Sequence, residues 1–191
     1  LTYAGVRATV EELASERRHQ FIHGNICDPA VVIAAMDGCH AVVHFAAETH
    51  VDRSITDATP FLRTNVEGTH VLLQRASKGG VQRFVQVSSD EVYGPILQGA
   101  HTESDPLRPR SPYAASKAAG DLLVFAHQET YGLPAIIVRC TNVFGPRQLP
   151  EKFIPLSVTN ALEDRPLPIY GDGQQRRAWL FVEDLCRAME L

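Results

Sequence analysis

Residues Ala41–Ala47 read AVVHFAA, a near-continuous apolar run rich in Val and of strand length. Such a run is the signature of a strand buried on both faces of a parallel sheet. Its neighbours alternate in kind. QFIHGN, Gln20 to Asn25, reads as a short strand. Asp28–Pro29 opens a helix through Met36, with Asp as N-cap and Pro tolerated in the first turn. Pro60 to Lys78 reads as a helix stopped by Gly79–Gly80, Arg83 to Ser89 as a strand, Ser111 to Tyr131 as a long helix ended by Gly132, and Pro134 to Cys140 as a strand. This order predicts an α/β fold with a doubly wound parallel sheet, in which ligands gather beyond the carboxyl ends of the strands. Polar residues do cluster after three of the runs: Glu48–Thr49, Ser88–Ser89–Asp90–Glu91 and Thr141–Asn142.

After Asn142 prolines multiply, at 146, 150, 155, 166 and 168, around a helix expected over Glu151 to Glu163 and extended runs at Leu167 to Tyr170 and in AWLFV. Two domains are expected, an α/β domain over 1–145 and the start of a second lobe over 146–191. The chain begins at Leu1, not Met, and ends in the helix-like VEDLCRAMEL, which reads as an internal stretch of a longer protein without a signal peptide. Eighteen basic residues against 22 acidic ones give a formal charge of −4, which argues against a generally basic nucleic-acid binder. No run approaches the roughly 18–20 apolar residues that cross a bilayer. Cys27, Cys39, Cys140 and Cys186 match no zinc template and read as reduced core thiols of a cytoplasmic protein. The eight histidines show no metal pattern, and His44 reads as a satisfied core residue.

Tyr113 and Lys117 form Y-x-x-x-K, and residues four apart share one helix face. An ammonium near a phenol favours the phenolate, so the Tyr is suited to act as a base near neutral pH. The spacing alone describes many surface pairs. Placement singles it out, because this helix follows a strand that ends in Ser88–Ser89.

A hydroxyl at a strand end followed by Tyr and Lys on the next helix resembles the short-chain dehydrogenase/reductase superfamily. Longer segments make the chain similar to its extended branch and, within it, to the nucleotide-sugar 4,6-dehydratases: HFAAETHVDRSI (His44 to Ile55), TNVEGT (Thr64 to Thr69), SSDEVYG (Ser88 to Gly94), SPYAASKAAGD (Ser111 to Asp121), RCTNVFGPRQLPEKFIP (Arg139 to Pro155) and PLPIYGDGQQRRAWLFVED (Pro166 to Asp184). LTYAG and THVDRSI lean towards dTDP-glucose as substrate. The resemblance implies a Rossmann-like fold that lacks its first βαβ unit here, NAD as cofactor, a homodimer built on the helices of 64–78 and 113–127, and neither nucleic acid, membrane nor metal as partner. It implies that Tyr113, supported by Ser89 and Lys117, takes the proton of the sugar 4-hydroxyl. Glu91 then removes the C5 hydrogen while Asp90 protonates the departing 6-hydroxyl. A base and an acid at neighbouring carbons need two carboxyl groups of different pKa, held by an irregular loop because adjacent strand residues point opposite ways.

The same resemblance places Leu1, Thr2, Asn25, Ile26, Phe45, Ala46, Ala47, Thr64 and Val143 beside the cofactor, with Tyr113 and Lys117. It places Thr49, Ser89, Asn142, Lys152, Phe153, Pro168, Ile169, Tyr170 and Arg177 around the sugar nucleotide. Three departures stand out. The glycine-rich phosphate loop is absent, and Gly171–Asp172–Gly173 does not replace it, since it lacks the third glycine and precedes a strand-like run. The stretch by itself is therefore expected to bind NAD poorly and to be inactive. Asn25 stands where the family has Asp, and Ala178 stands where it has Asp beside Arg177. A nucleotide-sugar epimerase or decarboxylase of the same branch is the alternative activity, and a non-catalytic cofactor-sensing or scaffold protein of the same fold is the alternative class.

Overall fold

The computed structural model describes residues 5–96, 98–169 and 171–190. The chain forms two compact units, one of Gly24–Cys140 and one of the stretches that flank it.

In the first unit, α2 (Pro29–Ala35) starts where expected: the Asp28 carboxylate accepts from the amides of Ala30 and Val31. (The flanking unit holds α1, Arg7–Glu11.) Then follow β1 (Ala41–His44), α3 (Val51–Thr56), α4 (Thr59–Phe61), a π-helical turn (Leu62–Gly68), α5 (Thr69–Lys78), β2 (Arg83–Ser89), a 3₁₀ turn (Asp90–Tyr93), α6 (Pro112–Tyr131) and β3 (Ala135–Cys140). The three strands make a parallel sheet in the order β1-β2-β3. Its register sets His44 beside Gln86 and Ser89 beside Cys140, so the polar strand ends fall on one edge. The parallel α/β architecture is the one the alternation implied, and it is Rossmann-like. The core joins α2, α5, α6 and one sheet face through Val32, Met36, Leu72, Leu73, Ala76, Phe84, Val124 and Leu133.

Four details differ from the sequence reading. Gln20 to Asn25 forms no strand, because no ladder partner lies beside it among the described residues. β1 ends at His44, and only its Val42–His44 face is covered; Val43 is 48% exposed, as is Ile136 at 49% in the same row. The helix expected over Pro60 to Lys78 contains the π turn, and α3 precedes it unannounced. Leu167–Ile169 forms no strand, since Pro166 and Pro168 offer no backbone donors.

The second unit pairs β4 (Asn142–Phe144) in parallel with β5 (Trp179–Phe181). α7 (Phe153–Leu162) lies between them in sequence, and α8 (Val182–Glu190) packs on both strands. The unit boundary at Cys140 falls a few residues before the composition change. All four cysteines are free; Cys27 and Cys140 are half-buried, whereas Cys39 and Cys186 are surface thiols and not core residues. Among the described residues no helix is long and apolar enough to cross a membrane.

A polar layer lies under α6. His44 Nε2 donates to Thr69 Oγ1 at 3.0 Å, since that hydroxyl spends its own proton on the Asn65 carbonyl at 2.7 Å. α6 comes close here because residue 120 is glycine: a Cβ would meet the Asn65 carbonyl at 3.1 Å and Gln86 Nε2 at 3.4 Å. Burial, with a smaller push from the Lys117 charge, lowers the His44 pKa from 6.5 to about 3. Below the ordinary value the unfolded chain binds a proton that the folded chain refuses. Stability present at neutral pH is therefore lost as pH falls from 6.5 towards about 3, at about 1.4 kcal/mol per pH unit. Urea denaturation between roughly pH 7 and pH 4 should show that decline. His44→Gln, which keeps a donor for Thr69, should flatten it; equal slopes would show that other groups set the acid limit.

Candidate active site

β2 ends in Ser88–Ser89, and the chain turns at once into the 3₁₀ helix of Asp90–Tyr93. The Ser89 hydroxyl caps that turn by accepting from the Glu91 amide at 3.2 Å, and it lies 3.4 Å from Asp90 Oδ1. The tight turn supplies the irregular backbone that two adjacent carboxyl groups need in order to share a side.

α6 brings Tyr113 and Lys117 under the same edge. Its first turn is satisfied from two directions. Ser111 Oγ accepts from the Ala114 amide at 3.1 Å, and Ser54 Oγ, from α3, accepts from the Tyr113 amide at 3.1 Å. Pro112 has no amide to satisfy. Phe61 packs edge-on to the Tyr113 ring, with centroids 6.4 Å apart. One turn later Lys117, only 5% exposed, donates to the Val87 carbonyl at 2.6 Å.

Asn65 fastens this helix to the loop after β1. Its side-chain oxygen accepts from the Glu48 amide at 2.9 Å, and its amide nitrogen donates to the Glu48 carbonyl at 3.0 Å and to Ser116 Oγ at 2.9 Å. Ser116 in turn donates to the Tyr113 carbonyl at 2.7 Å. The π turn, a form often found at functional sites, carries Asn65 between strand loop and helix. Ser54, Asn65 and Ser116 were not singled out from the sequence. An Asn inside an otherwise helical stretch, where it competes poorly with better helix formers, was the available signal.

The electrostatics correct one expectation. Burial pushes the Tyr113 phenol up to about 12; contact with Ser89 lowers it, while Glu91, Cys140 and Asp90 add to the rise. Lys117 gives no relief to the phenol, because its ammonium is turned to the Val87 carbonyl; burial lowers its own pKa, against Asp121 and Cys140. The phenol is thus neutral at pH 7, and the Y-x-x-x-K spacing alone does not make a base of it.

Ser89, Asp90, Glu91, Tyr113 and Lys117 all fall in the Gly24–Cys140 unit. Asn25, Ile26, Phe45, Ala46, Ala47, Thr49 and Thr64 join them there. Asn25 Oδ1 accepts from the Cys27 amide at 2.9 Å, an Asx turn that Asp would form equally well. Phe45 is 55% exposed just past β1, Ala46 and Thr49 are exposed, and Ile26, Ala47 and Thr64 are half-buried. In the other unit Asn142 donates to the Ala178 carbonyl at 3.3 Å, a contact that the missing Asp side chain does not disturb. Val143 pairs with Leu180, Phe153 stacks on Trp179 at 6.1 Å, and Lys152 lies 3.9 Å from Glu151. Pro168 is half-buried, Ile169 is exposed, and Arg177 donates to the Arg176 carbonyl at 2.8 Å. Leu1, Thr2 and Tyr170 lie outside the described residues. Among the described residues no group of three or more His, Cys, Asp or Glu is placed to hold a metal ion.

Known proteins are similar to this chain. A dTDP-glucose 4,6-dehydratase of Streptomyces niveus is 51% identical over 191 residues, which are 100% of this chain and 57% of that protein. The crystal structure of a dTDP-glucose 4,6-dehydratase from Streptomyces venezuelae, solved with NAD bound, superposes with a TM-score of 0.95 at 53% identity, over 99% of this chain and 59% of that one. UDP-glucuronic acid 4-epimerase from Bacillus cereus, solved with UDP-glucuronic acid and NAD, superposes with a TM-score of 0.91 at 30% identity, over 96% and 58% of the two chains. The chain thus spans somewhat over half the length of the relatives it matches. With the family's sequence pattern matched across residues 2–191, the chain belongs to the NAD dependent epimerase/dehydratase family.

Proposed function

We propose that the chain belongs to a hydro-lyase that dehydrates a nucleotide-activated hexose, dTDP-glucose, to its 4-keto-6-deoxy product with NAD as cofactor. The observation that carries this reading is the 3₁₀ turn that presents Asp90 and Glu91 directly after Ser89, in the unit where α6 buries Tyr113 and Lys117.

The residues fit NAD by the chemistry of their donors. Lys117 has three N–H groups and gives one to Val87, so its buried ammonium calls for further acceptors of the kind ribose hydroxyls provide. Lys117 would hold that ribose, with Tyr113 beside it. The family resemblance assigns Asn25, Ile26, Phe45, Ala46, Ala47, Thr64 and Val143, with Leu1 and Thr2, to the cofactor. When bound, NAD supplies the hydride acceptor and returning donor for the sugar and a positive ring that favours the Tyr113 phenolate.

The chain's own residues move the protons. Tyr113, hydrogen-bonded to Ser89, takes the proton of the 4-hydroxyl. With a ketone at C4 the C5 hydrogen is acidic, and Glu91 takes it. The electron pair of that C–H bond forms the C5–C6 double bond as the C6–O bond breaks, and Asp90 gives its proton to the leaving hydroxyl, which departs as water. The family resemblance assigns Thr49, Asn142, Lys152, Phe153, Pro168, Ile169, Tyr170 and Arg177 to the sugar nucleotide, and Lys and Arg suit a diphosphate. In this reading residues 1–145 serve the cofactor and 146–191 begin the substrate lobe. The protein works in the cytoplasm, where thiols stay reduced, as a homodimer; the exposed Leu62, Leu122 and Phe125 on the helical layer support that assembly.

Product mass tests the reaction in the full-length gene product. A product lighter by one water supports dehydration, and an unchanged mass favours the epimerase reading that the Bacillus cereus structure keeps in view. Tyr113→Phe keeps the ring and removes the proton acceptor. Turnover should fall at least ~100-fold, the scale of a lost general base, while NAD affinity measured by calorimetry changes little; near-parent turnover would reduce Tyr113 to packing.

Asp90→Asn and Glu91→Gln should leave ketone formation largely intact and slow loss of water by ~100-fold or more. Glu91→Gln should also suppress solvent deuterium incorporation at C5. Single-turnover absorbance and product mass spectrometry read both effects, and parent rates of water loss in both variants would sink this assignment of the turn.

A further inference from the structure

Arg139, near the end of β3, reaches into both parts of the acid–base apparatus. Its Nε donates to Asp121 Oδ2 at 2.8 Å, and Asp121 lies one helical turn beyond Lys117 on α6. Its Nη1 donates to the Tyr93 hydroxyl at 2.6 Å and to the Glu103 carbonyl at 3.3 Å, and Tyr93 closes the 3₁₀ turn that carries Asp90 and Glu91. The guanidinium also lies 5.0 Å from the Tyr93 ring centroid. Asp121 is fully buried and the Arg139 side chain is only 11% exposed. Burial raises the Asp121 pKa, and Arg139, Ser88 and Lys117 pull it back in part. Burial also works against the Arg139 charge, but its hydrogen bonds to Asp121 and Tyr93 outweigh that and keep its pKa above the ordinary value.

The far end of the turn is pinned too. The Val92 carbonyl accepts from the Arg108 amide at 2.9 Å. Gly94 follows at φ +84, and a Cβ there would lie 2.5 Å from the Arg108 carbonyl. The Tyr93 ring stacks on His101 with centroids 5.0 Å apart. The ring therefore has support of its own, and its hydroxyl is the link to Arg139.

We propose that Arg139, acting through Tyr93, is a positioning residue that sets Asp90 and Glu91 against the helix bearing Tyr113 and Lys117. This rests on the dehydration reading above. Acid and base must meet neighbouring carbons after the ketone forms, and a displacement of about 1 Å costs a reaction step as much as ~100-fold. The tie should therefore govern loss of water and not formation of the ketone.

Tyr93→Phe keeps the stacked ring, its contact with the guanidinium and the Arg139–Asp121 pair, and removes the hydrogen bond that ties them. In the full-length protein with NAD bound it should slow loss of water by ~10-fold and leave ketone formation within about twofold. In the protein without substrate, amide hydrogen exchange should quicken at residues 90–94 and stay unchanged along 113–124. Arg139→Lys keeps a charge beside Asp121 but replaces the rigid fork, whose Nε and Nη1 serve Asp121 and Tyr93 separately, with a single nitrogen, and should show the same selective loss. In a Glu91→Gln background, Tyr93→Phe should add little, the non-additivity expected of a residue that acts through another. Equal slowing of both steps, with exchange raised across β2 and α6 alike, would make the contact merely structural and overturn the proposal, as would no change at all. A parent protein that releases no water takes this proposal down together with the dehydration reading. A dehydrating parent with an unaffected Tyr93→Phe variant overturns this proposal alone.

Discussion

The paired hydrogen bonds between the Asn65 side chain and the backbone of Glu48 hold the site together. One carboxamide satisfies both the amide and the carbonyl of a residue in the loop after β1, and its remaining proton goes to Ser116 on α6. Strand, crossover and α6 are thereby joined through one buried side chain. Buried carboxamides are costly unless fully partnered, and here the oxygen and both amide protons have partners. Without this clamp the loop at Glu48 would need another source of bonds, and α6 would lose its fixed distance from the sheet.

Much of this was legible in the residues. Asp28–Pro29 announced α2, Ser111–Pro112 and Gly132 bracketed α6, and RFVQVSS marked β2 to the residue. These are local signals, capping chemistry and apolar runs of strand length, and local signals survive folding. The failures are non-local. Gln20 to Asn25 has the composition of a strand but no neighbour to complete a ladder, and AVVHFAA is covered on one face only. The π turn is invisible to a 3.6-residue period because it inserts a residue into it.

The site divides in the same way. Strand-end placement and the family resemblance point to Ser89, Asp90, Glu91, Tyr113 and Lys117, whereas neither singles out Ser54, Asn65, Ser116, Asp121 and Arg139, which surround them. A supporting residue owes its role to partners distant in the chain, and a hydroxyl or amide carries no mark of which backbone group it will meet. The Tyr113 phenol follows the same rule: spacing suggests a pairing with Lys117, but burial raises its pKa and the Lys117 ammonium faces the Val87 carbonyl.

The split capping of α6 bears on the order in which order itself arises. Ser111 caps its helix from one residue away from Pro112, but Ser54 reaches Tyr113 across 59 residues of chain. Closing a loop of that length costs about 3–4 kcal/mol in chain entropy, which a single hydrogen bond cannot repay. The Tyr113 amide is therefore satisfied only in a chain whose α3 has already docked by other means. The helix can form early from its own sequence, yet the setting of Tyr113 is a property of the completed topology.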